Sequence, residues 1–103
     1  MNENVEYVKK VLPAEVLFTQ LAEEAVELAQ AALKMYRILD GRNPTPVTLE
    51  EGMDNLYEEI SDVLGTMRTL GLADSVHAPL YASISAGKFE RWVGRLKEKY
   101  GEE

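Results

Sequence analysis

The chain has 103 residues, 46% of them hydrophobic and 28% charged, one domain's worth of ordinary globular sequence that excludes disordered and low-complexity classes. It has no cysteine, which excludes disulfide staples, thiolate metal sites and cysteine nucleophiles. With 18 acidic against 11 basic residues the formal charge is −7, a balance that opposes nucleic acid and anionic membranes and favours cations as partners.

A single domain over residues 1–103 is expected, and a chain this short buries only about 60–68% of its unfolded surface by itself. Oligomerisation, as a homodimer or homotetramer, is therefore expected too. The longest uncharged stretch in the C-terminal half, Ser75 to Gly87, contains Pro79 and is too short for a membrane span. The N-terminal residues lack a basic segment followed by an apolar run, so the cytoplasm is the expected compartment.

In chain order, Asn4 to Leu12 reads as a short helix that must end before Pro13, because proline disfavours helical geometry in the residue preceding it. From Ala14 to about Leu39, Leu17, Leu21, Leu28, Ala31, Met35 and Ile38 follow helical spacing. One position in that series, Glu24, is a carboxylate. Asp40 to Pro46 carries a glycine suited to a left-handed helix end and two prolines, and reads as an ordered loop. Thr48 then resembles an N-cap, with Glu51 completing a capping box.

The second long helix, Leu49 to about Leu70, repeats the spacing through Met53, Leu56, Ile60, Val63 and Met67. Two seams joined by a short loop predict an antiparallel hairpin. After Gly71, a third long helix is predicted to start near Pro79 and end by Gly101, with Phe89, Trp92, Leu96 and Tyr100 on its apolar side. Nothing alternates with period two. The expected class is all-α: a helical hairpin plus a third helix, with a four-helix-bundle-like core completed by oligomerisation.

The carboxylates carry the functional reading. At about 100° per residue, Glu24 projects from the centre of the first long helix's apolar stripe, where an acid costs several kcal/mol unless paired, hydrogen-bonded or bound to a metal. Glu27 follows one turn later, and Glu23 lies at the edge of the same face. On the second helix, Asn55, Glu59, Asp62 and Thr66 share one arc beside the apolar stripe. Antiparallel packing would let Glu24 and Glu27 meet Glu59 and Asp62, putting four carboxylates around one cavity. Oxygen-only ligands favour hard ions, Mg²⁺ first and Mn²⁺ second. Two readings stand at this level, a solvated acidic face and a metal site.

The run Leu21-Ala-Glu-Glu-Ala-Val-Glu-Leu28, followed after a proline-bearing loop by Glu58-Glu-Ile-Ser-Asp-Val-Leu64, resembles the MazG-like all-α nucleoside triphosphate pyrophosphohydrolases. Their signature is Glu-Glu-x-x-Glu, a spacer, then Glu-x-x-Asp. Glu23, Glu24 and Glu27 match its first part, and Glu59 and Asp62 its second. The resemblance implies that Glu24, Glu27, Glu59 and Asp62 bind Mg²⁺, with Glu23 assisting the metal or orienting the attacking water. It also implies hydrolysis of a nucleoside triphosphate between its α- and β-phosphates to a monophosphate and pyrophosphate, as nucleotide-pool sanitation.

On the third long helix, Lys88, Arg91 and Arg95 form a basic side, and Lys88-Phe-Glu-Arg91-Trp is similar to a late Lys and Arg pattern that contacts phosphate in the family. Ala86 and Gly87 stand where an Asn often precedes that Lys. Gln20 and Asn55 point toward the expected cavity as base-reading or supporting residues. His77 is expected to be structural or solvated, and Trp92 core rather than base-stacking. Phosphoribosyl-ATP pyrophosphohydrolase is the nearest alternative, but Val63 to Met67 lacks the histidine those enzymes usually carry there. A non-catalytic helical interaction module is the alternative from another class.

Overall fold

A computed structural model describes residues 3–101. Four helices account for it: α1 (Glu3–Val11), α2 (Ala14–Asp40), α3 (Leu49–Thr69) and α4 (Ala78–Tyr100). The class is all-α, with no strand among the described residues. The chain divides into two compact units, one through Leu72 and one from Ala73 onward.

The first unit is built on an antiparallel hairpin of α2 and α3, with α1 against α3. Local chemistry sets its boundaries. Pro13 precedes α2 in extended conformation, and its carbonyl accepts hydrogen bonds from the Val16 and Leu17 amides. Gly41 closes α2 at φ 74°, a left-handed geometry that glycine adopts without a Cβ penalty, and its amide donates to the Arg37 carbonyl. The loop that follows is braced by Arg42, whose Nε lies 2.9 Å from Asp40 and whose guanidinium donates to the Tyr36 hydroxyl. That guanidinium holds the Asp40 carboxyl below its usual range.

The capping box of α3 forms as the sequence predicts. Thr48 Oγ1 accepts from the Glu51 amide at 3.1 Å, and Glu51 accepts from the Thr48 amide at 3.1 Å. Thr48→Ala removes one half of this reciprocal pair and is expected to cost about 1 kcal/mol in chemical denaturation.

The seam between α2 and α3 is narrow. Leu17, Ala31 and Met35 of α2 are its buried apolar side chains, and Gly52 and Thr66 of α3 are also buried, with Met35 beside Gly52. Glu24 lies beside Thr66, Glu27 beside Asp62, and Ile38 beside Gly52. Residues at one level of the hairpin thus have numbers that add to about 90. Leu21, Leu28, Ile38, Met53, Leu56 and Val63 are half-buried rather than core, because two helices side by side cover one stripe of each other and no more.

The second unit is α4 and the turn before it. Pro79 sits in its first turn, as expected, and Gly101 ends it, its backbone N–H donating a hydrogen bond to the Lys97 carbonyl. Asp74 Oδ1 accepts from the His77 amide at 2.9 Å and lies 2.7 Å from His77 Nδ1, which keeps the Asp74 carboxyl below its usual range. His77 is thus a structural residue of this turn. The expected apolar side of α4 is not core: Phe89, Trp92 and Leu96 are 55%, 51% and 43% exposed. Phe89 and Trp92 stack on each other at 5.6 Å. Among the described residues, no helix is long and apolar enough to cross a membrane.

Candidate metal centre

Glu27 on α2 and Glu59 and Asp62 on α3 converge, each with a carboxylate oxygen within 4.8 Å of the others'. The i, i+3 spacing puts Glu59 and Asp62 one turn apart on the same side of α3, and the hairpin register brings Glu27 to their level. Glu59 is half-buried while its two neighbours are exposed. Its Oε2 is buried and has no hydrogen-bond partner.

The electrostatics of Glu59 follow from that placement. Burial pushes its carboxyl above the ordinary carboxylate range, and the charges of Glu27 and Asp62 push it the same way. A proton shared with Glu27 adds to the effect. Three acids at this separation repel one another unless a proton or a cation intervenes. The donor set is oxygen-only, with one carboxylate oxygen of Glu59 buried and without a partner, and it fits a hard divalent ion better than zinc or copper.

Of the four carboxylates expected to meet, Glu27, Glu59 and Asp62 are the ones whose oxygens converge within 4.8 Å. Glu24 is half-buried in the seam, but it lies one level away at Thr66, whose Oγ1 donates to Glu24 Oε1 at 2.5 Å. Gln20 Nε2 donates to the other oxygen, Oε2, at 3.2 Å. Both oxygens are therefore satisfied by side chains, so the carboxylate interrupting the apolar stripe is explained by hydrogen bonding. Gln20 is exposed and is the partner of Glu24. Glu23 is exposed, as is Glu58, and Asn55 is half-buried on the triad's side of α3.

Thr66 was visible in the sequence only as a member of the α3 arc. Its role follows from register: it is the α3 residue at the level of Glu24.

Lys88 and Arg91 belong to α4, in the second unit. Lys88 lines a groove of about 450 Å³ with Tyr81, Ile84, Phe89, Trp92 and Arg95. Arg91 is not part of that lining; its guanidinium reaches back toward Gly87. The basic residues on the aromatic groove are thus Lys88 and Arg95.

No family model, curated protein or solved structure matches the chain.

The pKa of Glu59 sets an expectation for pH. Because its folded-state value is raised, Glu59 in the metal-free protein holds its proton above the ordinary value of 4.5, where the unfolded chain has lost it, and the stability this contributes is lost as pH rises through the folded-state value. A divalent cation needs the deprotonated group. The increase in Tm produced by Mg²⁺ is therefore expected to grow from pH 4.5 upward, and to be flat with pH in Glu59→Gln, as thermal melts across a pH series will read.

Proposed function

We propose that this chain is a Mg²⁺-dependent nucleoside triphosphate pyrophosphohydrolase, cleaving between the α- and β-phosphates and working as a homodimer or homotetramer in nucleotide-pool sanitation. The observation that carries the reading is the convergence of Glu27, Glu59 and Asp62, with an orphaned oxygen on Glu59. The linked Glu-Glu-x-x-Glu and Glu-x-x-Asp runs on the two hairpin helices support it further.

Glu27, Glu59 and Asp62 are the residues to hold the ion, Mg²⁺ or Mn²⁺. When bound, such an ion supplies charge neutralisation for the triphosphate and a lower pKa for water, chemistry that requires no side-chain nucleophile. Glu24, kept in place by Thr66 and Gln20 one level along the hairpin, is the further candidate ligand. Glu23, exposed at the edge of the acidic face, is the candidate for orienting the attacking water. Lys88 and Arg91 are the candidates for phosphate oxygens, Arg as a planar fork and Lys as a point charge. Gln20 and Asn55 are the candidates for the base.

The test is pyrophosphate release from a panel of canonical and modified ribo- and deoxyribonucleoside triphosphates with Mg²⁺. Release of pyrophosphate with a stoichiometric monophosphate supports the reading. Release of orthophosphate and diphosphate, or no turnover of any nucleotide, contradicts it.

A further inference from the structure

A carboxylate in an apolar stripe lowers its energy in one of two ways: it turns out to water, or donors inside the seam hold it. Glu24 stands between Leu21 and Leu28 on the stripe of α2, and all three are half-buried, so water is within reach of its side chain. It is nevertheless held against α3. Thr66 Oγ1 donates to Oε1 at 2.5 Å, and Gln20 Nε2 donates to Oε2 at 3.2 Å. The two donors differ in kind: Gln20 is exposed and on the same helix, whereas Thr66 is buried and belongs to α3. The Thr66 hydroxyl is therefore what ties this carboxylate to the other helix of the hairpin. Packing alone is better served by an apolar pair at the two positions, which would fill the seam without enclosing an acid.

The tie falls beside the acids. Thr66 follows Asp62 by four residues and Glu24 precedes Glu27 by three, spacings that keep each pair on one side of its helix and about one turn apart. Holding Glu24 on Thr66 thus keeps a fourth carboxylate next to the level where Glu27, Glu59 and Asp62 converge. A carboxylate offers about four lone-pair positions, and one hydrogen bond on each oxygen leaves half of them open. We propose that Thr66 is a positioning residue of the cation site: its hydroxyl sets the affinity of the acids for a divalent ion by keeping Glu24 in the seam and out of water. The inference rests on the metal reading of Glu27, Glu59 and Asp62, and adds to it an uncharged residue that acts through Glu24 without touching the ion. Valine at position 66 keeps the shape and burial of threonine and removes the donor. Glu24 then turns to solvent, where its charge acts on the site through water.

The experiment titrates Mg²⁺ alone, by calorimetry, into the full-length wild type, Thr66→Val, Thr66→Ser, Glu24→Gln and the double variant Thr66→Val with Glu24→Gln. Urea denaturation of the same preparations without metal runs beside it. Thr66→Val is expected to weaken Mg²⁺ about 10–100-fold, the usual effect of losing a residue that orients a ligand, and Thr66→Ser, which keeps the hydroxyl, to bind as the wild type does. In the Glu24→Gln background Thr66→Val is expected to change the affinity no further, because the two residues act as one unit. A threonine that serves only the fold would lower the urea midpoint and leave the dissociation constant where it was. That result overturns the proposal, as does a serine variant as weak as the valine one, or an equal loss with and without the Glu24 carboxylate. Where Thr66→Val loses its helicity, Gln20→Ala decides, since it removes the other donor at an exposed position: weaker Mg²⁺ binding supports the proposal and unchanged binding overturns it. Absence of saturable binding by the wild type overturns the metal reading and this inference together, whereas a bound ion indifferent to Thr66→Val overturns the inference alone.

Discussion

If Glu59 is a metal ligand of a pyrophosphohydrolase, as proposed, Glu59→Gln is expected to cut pyrophosphate release by roughly a hundredfold or more, and at the same time to raise the Tm of the metal-free protein. The two effects have one cause. Glu59 is the half-buried member of the triad, its Oε2 has no partner, and burial with the charges of Glu27 and Asp62 disfavours its ionised form. An uncharged amide of the same shape relieves that repulsion and removes the ligand. A solvated acidic face would lose little of either quantity on this substitution, and an acid that stabilised the fold through a partner would lose Tm. Activity assays and thermal melts on the same preparations read both signs.

The second large effect concerns packing. Gly52 lies on α3 where Ile38 and Met35 of α2 come closest: a Cβ built there meets Ile38 Cδ1 at 2.5 Å and Met35 Sδ at 2.9 Å. Gly52→Val forces a branched side chain into that contact, and overpacking of this kind costs about 3 kcal/mol. Because Leu17, Ala31 and Met35 are the buried apolar side chains of the hairpin, such a loss is a large part of its stability. Gly52→Ala behaves differently. The obstructing atoms are the far ends of flexible side chains, and alanine gains about 1 kcal/mol of helix propensity over glycine, so the two terms nearly cancel. Urea denaturation of the pair is expected to give a near-neutral alanine variant and a severely destabilised valine variant.

The sequence carried the helices and most of the acidic site through local rules. Thr48 and Glu51 form a capping box because the motif depends on four consecutive residues, and Gly41 ends α2 because few other residues take a positive φ. The i, i+3 pair Glu59 and Asp62 stays on one side of α3 wherever that helix packs. Helical periodicity gives direction but not level. Glu24 and Glu27 share a face, yet three residues of rise, about 4.5 Å, carry Glu24 past the triad to Thr66. That offset depends on the hairpin register, which the loop from Gly41 to Val47 sets and periodicity does not.

Burial was legible only where a second helix lies against the stripe. Leu17 and Met35 are buried as the pattern implies, while Phe89, Trp92 and Leu96 follow an equally regular pattern on α4 and remain about half exposed. Periodicity identifies an apolar side; what covers it is a property of packing between elements.

Glu27, Glu59 and Asp62 are proposed to hold a hard divalent cation. A calorimetric titration of Mg²⁺ into the wild type and Glu59→Gln at neutral pH, repeated with Mn²⁺, tests it most directly. A saturable site with a stoichiometry of about one ion per triad, lost in the variant, is the predicted result. The absence of saturable binding in the wild type, or the same binding in both proteins, would contradict it.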